Sequence, residues 1–319
     1  MIPYLNMNAR VIVGKIRFEN ISSFHIEETV KELGDTASII LPRHYKKLNG
    51  KSLLDYISTG DKVEIYAGYN GKYHLEFEGF LKNIGSEAPM ELTCDDMFYP
   101  HKQNEFTFSY ATISLKKLLE HIMPGYEVEC PDMKLVKFQA HKASSFRIMK
   151  ELQKDYGLFS RLQGKKLIVG FSYSWDFSKT KRHKLHKQKN VKSTNLQWKK
   201  ESDYLVRVEV TVGKSAGKDK IVSFGALGKD AVVNRITMTN LSEADAKQVA
   251  KARYKNTVYN GFTGDITSLG TPRTHAGDSV EYENDFEPDK NGAYLIERVV
   301  IDYNNMGGFS RKNYLSYKI

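Results

Sequence analysis

The side chains that could carry chemistry fall into four short clusters. Gly213-Lys214-Ser215, with Gly217-Lys218 behind it, follows an apolar run and has the look of a phosphate loop. Such a loop needs a glycine five residues before the Gly-Lys-Ser glycine, and that position is Val208. The segment reads as a hairpin turn. His183 and His186 are spaced almost as metal ligands, yet they sit in a lysine-rich run with no cysteine or carboxylate beside them to complete a shell. They read as part of a solvated loop. Glu281, Glu283, Asp285, Glu287 and Asp289 alternate along a strand into a loop. Hard oxygen ligands suit calcium, but the glycine and ligand spacing of a calcium loop are missing, and alternating acids describe an exposed strand face. Asp95 and Asp96 would be the carboxylate pair of a hydrolase for glycosides or phosphoesters. Adjacent strand residues point to opposite faces, so the two act together only across a bulge. No catalytic, cofactor-binding or metal-ligating residue is assigned, no cofactor is expected, and the chain is read as non-enzymatic.

The charge has the same local character. The formal net charge is +10, and nine Lys or Arg residues with no acid lie within residues 179–200, so the remainder is close to neutral. Trp198 is the one aromatic residue of that run, whereas single-stranded nucleic acid is held on aromatic platforms interleaved with charge. The run is expected to be a mobile basic connector, with no specific nucleic acid as partner. Two cysteines, Cys94 and Cys130, make neither a disulfide framework nor a four-cysteine zinc site, and are expected reduced and half-buried. No stretch approaches the roughly 20 apolar residues that span a bilayer, and residues 1–6 lack the basic start of a secretory signal. The expected location is the cytoplasm in which the chain is made, with no membrane partner.

These residues must be positioned by elements that the pattern also predicts. Alternation at Val11 and Val13, at Ala37, Ile39 and Leu41, at Val63 and Ile65, and at Leu75 and Phe77 predicts an antiparallel β unit over residues 1–105. Turn chemistry separates its strands, Asn70-Gly71 being a tight-hairpin pair. A small α/β module follows over 106–175. Its first helix starts at Ser114 with Leu115, Leu118, Leu119 and Ile122 on one face. Its second starts at Ser144 or Ser145, carries Ile148, Met149, Leu152 and Tyr156, and ends on Gly157 as a left-handed cap; a hairpin around Gln163-Gly164-Lys165 comes next. Residues 176–319 return to strands, with the connector at about 179–200 and one long helix at 242–258 capped by Ser242.

The order of these units resembles the baseplate hub family of contractile phage tails, which includes the late control D proteins and the hub part of type VI secretion spike proteins. The resemblance rests on the Ser144-Ser145-Phe146-Arg147-Ile148-Met149 helix running to Gly157, with Gly164-Lys165-Lys166-Leu167-Ile168-Val169 after it. It rests also on Glu243-Ala244-Asp245-Ala246 through Arg253, then Gly264-Asp265-Ile266, Gly277-Asp278-Ser279-Val280 and Gly292-Ala293-Tyr294-Leu295-Ile296-Glu297-Arg298-Val299. Ser114-Leu115-Lys116-Lys117-Leu118-Leu119 fits the helix that opens the family's middle module.

The resemblance implies an α+β, mainly β fold in which two small tube-like antiparallel β-barrel domains flank the α/β module. It implies a homotrimer whose six barrels match a hexameric tail tube and join it to a trimeric central spike. Partners would be the tail tube protein, a separate spike protein and other baseplate proteins. The site of action would be the virion tail baseplate, after assembly in the bacterial host cytoplasm. Nothing follows Ile319 in this sequence, so the spike is expected on another chain. Two other classes stay open: a β protein that binds or cleaves cell-wall glycan, and a nucleic-acid-binding module.

Overall fold

The opening alternation becomes nine strands in the computed structural model, which describes residues 6–48, 50–87, 89–171, 181–213, 220–239 and 241–319. They are β1 (Met7–Val13), β2 (Ile16–Phe18), β3 (Ser23–Thr29), β4 (Thr36–Leu41), β5 (Lys47–Leu48), β6 (Lys51–Ser52), β7 (Lys62–Tyr69), β8 (His74–Ile84) and β9 (Met90–Asp96). Ala9, Val11 and Val13 of β1 stand opposite Ala67, Ile65 and Val63 of β7. All six are buried on one face, as period two requires. Asn70 and Gly71 both take positive φ, 55° and 78°, so the β7–β8 connection is the tight turn that Asn-Gly predicts. Ser52 starts the short helical turn Leu53–Asp55 with a reciprocal cap, its Oγ accepting from Leu54 N and its own N donating to Asp55.

The middle module contains β10 (Phe106–Ser114), α1 (Leu115–Ile122), β11 (Glu127–Glu129), β12 (Lys134–Ala143), α2 (Ser145–Tyr156), β13 (Phe159–Gln163) and β14 (Lys166–Gly170). Ser114 and Ser144 are the N-caps, each accepting from the backbone N–H three residues on. Gly157 ends α2 at φ 69° and ψ 24°, and its N–H donates to Gln153 O at 2.9 Å. A β-carbon there would meet only Arg253 Nε, at an ordinary contact distance of 3.7 Å, so the strain is that of the left-handed backbone. Gly157→Val is therefore expected to lower stability by about 1–2 kcal/mol in denaturant titration, and an unchanged midpoint would refute the cap.

The last third holds β15 (Arg182–His186), β16 (Val191–Lys199), β17 (Val206–Gly213), β18 (Lys220–Gly225), β19 (Val232–Thr239), α3 (Glu243–Thr257), β20 (Gly261–Leu269), β21 (Ser279–Glu283), β22 (Gly292–Asn304) and β23 (Gly308–Lys318). The chain is thus α+β and mainly β. A thirteen-stranded sheet runs in the order β16-β20-β23-β22-β3-β4-β9-β8-β7-β1-β2, with β21 also on β22 and β15 on β21. β22 makes this possible because its halves serve different neighbours. Gly292–Leu295 pairs with β21, whereas residues 298–304 pair with residues 29–23 of β3. Register shifts against β23 fall between these halves, where a bulge bends the strand.

Over residues 181–200 the basic run is not a mobile connector; residues 179–180 lie outside the described residues. Its described residues form β15, which lies parallel to β21, and β16, which lies antiparallel to β20. The basic run misled because Lys184 and Lys192 are exposed while Leu185, Leu196 and Trp198 pack on the core. Trp198 meets Phe262 edge-on at 4.9 Å.

The β17–β19 sheet and α3 also pack differently from the expected boundary at residue 176. Val208, Val210 and Val212 and the helical Ala246, Val249 and Ala250 share one core with Leu118, Leu119, Ile148 and Leu152 of the middle module. Small residues on α3 let it lie close over the sheet, and the remaining strands share a second core with the first β unit.

Candidate functional site

The structure scatters the four clusters. β17 and β18 pair around the Gly213-Lys214-Ser215 motif, and residues 214–219 lie outside the described residues. Asp95 is buried between Lys82 at 3.3 Å and Lys102 at 2.5 Å. Asp96 faces the other way, accepts from Phe98 N at 3.0 Å and lies near Asp35. Burial raises the Asp96 carboxyl above its ordinary range. Asp35 is raised further, by burial first and then by Glu28 and Asp96. The paired carboxylates therefore do not converge. Cys94 is buried rather than half-buried, and burial, with Asp95 beside it, pushes its thiol up to about 12; Cys130 is partly buried.

His183 and His186 are a correction of a different kind. Both are buried in strand β15, not in a solvated loop. His183 Nε2 lies 2.8 Å from Asp278 Oδ2, and His186 Nε2 lies 3.5 Å from Asp285. The carboxylates missing from the local sequence arrive from about a hundred residues away. Among the described residues no group of three or more His, Cys, Asp or Glu side chains is placed to hold a metal ion. Of the acid run, Glu281 and Glu283 lie on β21, and the other three acids follow in the β21–β22 turn.

What the fold does bring together is a junction of buried charge between the first β unit and the last strands. Arg311 on β23 is 0% exposed, and its guanidinium donates to Gly270 O at 2.9 Å, Thr274 O at 3.0 Å and Glu76 Oε2 at 2.5 Å. Glu76 on β8 is 4% exposed and accepts from Arg273 Nε at 3.0 Å. A rigid fork suits this geometry because three acceptors from three directions are met by one planar group. Nearby, Glu28 of β3 lies 3.0 Å from His275 Nδ1 and accepts from Ala276 N at 3.2 Å. Asp278 ties His275 N, at 3.0 Å, to His183. Tyr69 of β7 accepts from Gly270 N at 3.0 Å and donates to Phe309 O at 3.2 Å.

Sequence reasoning missed this junction. One signal was available: Phe309, Arg311, Asn313 and Leu315 share one phase of a period-two strand, which puts an arginine among inward-facing positions.

The junction has a pH signature. Burial pulls His275 down, but the hydrogen bond and charge of Glu28 outweigh it, so the imidazole stands above its usual value. A histidine raised on folding contributes stability that is present below about pH 6.5 and lost as pH rises through the folded value. The raised Asp35 and Asp96 act in the same direction, since the folded state holds their protons longer. Melting temperature is expected to fall between about pH 5 and 8, and less steeply in His275→Gln. Identical slopes in the two proteins would remove His275 from the account.

At its two ends the large sheet is open. β16 pairs with β20 on one side, β2 pairs with β1, and the outer edge of each lacks a strand partner among the described residues, as does that of β15, which pairs only with β21 on the branch from β22. Unpaired edges of a sheet invite another strand.

No family model matches the sequence, and neither does any curated protein. Solved structures do match. A tail protein from Neisseria meningitidis MC58 superposes with a TM-score of 0.70 at 14% identity, covering 97% of this chain and 96% of that one. The 43 kDa tail protein of prophage MuSo2 from Shewanella oneidensis gives 0.66 at 13% identity, covering 97% and 98%. An E. coli component of the type VI secretion system gives 0.59 at 10% identity, covering 98% of this chain and 78% of its own. The chain has the fold of these phage tail and type VI secretion proteins over nearly its whole length.

Proposed function

We propose that the chain is a structural, non-enzymatic hub of a phage-like contractile tail, a homotrimeric ring joining a hexameric tail tube to a trimeric central spike. The observation that carries this reading is the single hydrogen-bonded sheet that passes through both β units and, among the described residues, leaves open outer edges at β2, β15 and β16. Three copies set edge to edge would remove those edges by closing, as cyclic symmetry allows. The two β units of each copy act as the tube-like barrels, and the module around α1 and α2 stands outside the ring. The tail tube protein, a separate spike protein and other baseplate proteins are its partners, and the assembled baseplate is its place of action. The likeness to tail proteins over almost the full length of both chains supports the reading, because it includes the middle module as well as the β units.

Sedimentation equilibrium of the full chain tests it. A species three times the 36.5 kDa chain mass, seen as closed rings by negative-stain microscopy, is expected. A chain that stays monomeric at high concentration would overturn the ring.

A further inference from the structure

Two surface features other than the strand edges themselves carry opposite charge. The first is a groove of about 670 Å³ between α2, α3 and the turn after β3. Arg147, Lys150 and Lys154 line it from α2 at three- and four-residue spacing, so they share one helix face. Lys31 and Arg253 also line it. The two carboxylates of the lining are Glu32 and Glu151, and Glu151 is held by Arg147 at 3.4 Å. Phe159 adds an apolar surface.

The second feature is the turn between β21 and β22. Glu283, Asp285, Glu287 and Asp289 lie within seven residues, and Phe286 among them is 83% exposed. The turn is preformed. The buried Asn284 accepts from Phe286 N at 3.1 Å and from Gln188 Nε2 at 2.9 Å, donates from its side chain to Glu287 at 3.1 Å, and donates from its backbone to Asn291 at 2.7 Å. An aromatic side chain held outward by a braced acidic turn loses little conformational freedom on binding.

We propose that the acidic turn 283–289 of one copy docks into the α2–α3 groove of the next. The proposal rests on the ring reading and names a contact for it besides the strand edges. Such a contact is heterologous, one surface meeting a different one, which is what a closed ring of three requires. Phe286 is the buried anchor, placed against Phe159 and the aliphatic stems of Lys150 and Lys154. The surrounding charges set register and speed of association and make it sensitive to salt.

Charge exchange in the full chain tests the docking. K150E/K154E is expected to weaken self-association at least tenfold, and adding E287K/D289K to the same chain is expected to restore it. Circular dichroism confirms that each variant folds. A labelled peptide of residues 281–290 should bind the wild-type chain saturably in fluorescence anisotropy, and at least tenfold more weakly to K150E/K154E or when its phenylalanine is replaced by serine. An oligomer indifferent to K150E/K154E, a swap that restores nothing, or a peptide that binds all variants alike overturns the docking while leaving the ring standing. A wild-type chain that never associates overturns the ring and the docking together.

Discussion

Arg311→Met is expected to lower the stability of the chain by about 3–5 kcal/mol, the loss that follows when one partner of a buried ion pair is removed. Methionine fills much of the volume but donates nothing. Glu76 is then left with Arg273 alone, and the carbonyls of Gly270 and Thr274 lose the donor that met them inside the protein. Arg311→Lys is expected to recover little, because a single ammonium cannot reach three acceptors that a planar fork spans. Replacing both charges, Glu76→Leu with Arg311→Met, should recover a large part, since an apolar pair leaves no uncompensated carboxylate. Guanidinium titration with a constant slope provides the measurement. A loss below about 1 kcal/mol for Arg311→Met would mean that the junction holds nothing together.

Gly264→Ala is expected to release β16 from the sheet, at a cost on the order of 4 kcal/mol. Gly264 has φ +99°, and a β-carbon built on it would lie 1.8 Å from Asn195 O, a backbone atom of β16 that no rotamer change can move away. The pairing of β20 with β23 also shifts register between Gly261 and Asp265, so the glycine sits where β20 bends to serve both neighbours. Trp198 reports the outcome, because it packs on Phe262 from β16 itself. In a Trp175→Phe background it is the remaining tryptophan of two, and its emission should shift to the red in the glycine variant. Emission and hydrogen exchange of β16 that match the parent protein would show that the strand tolerates the side chain. Loss of the strand would remove one of the open edges that the ring uses.

Local signals were legible where local chemistry decides the structure. Ser114, Ser144 and Ser242 start helices, Gly157 stops one, and Asn70-Gly71 turns a hairpin, because each effect is complete within a few residues. The run at 179–200 was misread because its lysines are visible in sequence whereas its partners are not. β15 gains its stability from β21, about a hundred residues later, and His183 gains its carboxylate from Asp278. The partners in the junction were illegible for the same reason, although the inward phase of Arg311 was not: Glu28, Glu76, His275 and Arg311 are scattered over the chain and meet only after the sheet has formed. α3 was read correctly as a helix but assigned to the wrong core, since alanine-rich faces fit many surfaces and the sequence does not say which.

The seam between β3 and β22 has a consequence for how the protein is made. β3 leaves the ribosome early, and roughly 260 residues must follow before β22 exists to cover it. At about 5–20 residues per second that interval is on the order of tens of seconds. Throughout it, the first β unit presents the edge of β3, residues 23–29, as a bare template. Contacts this distant in sequence close slowly, so nascent chains crowded on one message are exposed to pairing with each other before they can pair with themselves. Glu27, whose later partner is Arg298 across the seam, stands on that edge as an unpaired charge during the wait, with the polar His25, later the partner of Asp302, two residues before it. A charge that will pair across the seam in the finished protein thus serves, while the chain is still growing, as a guard against premature neighbours.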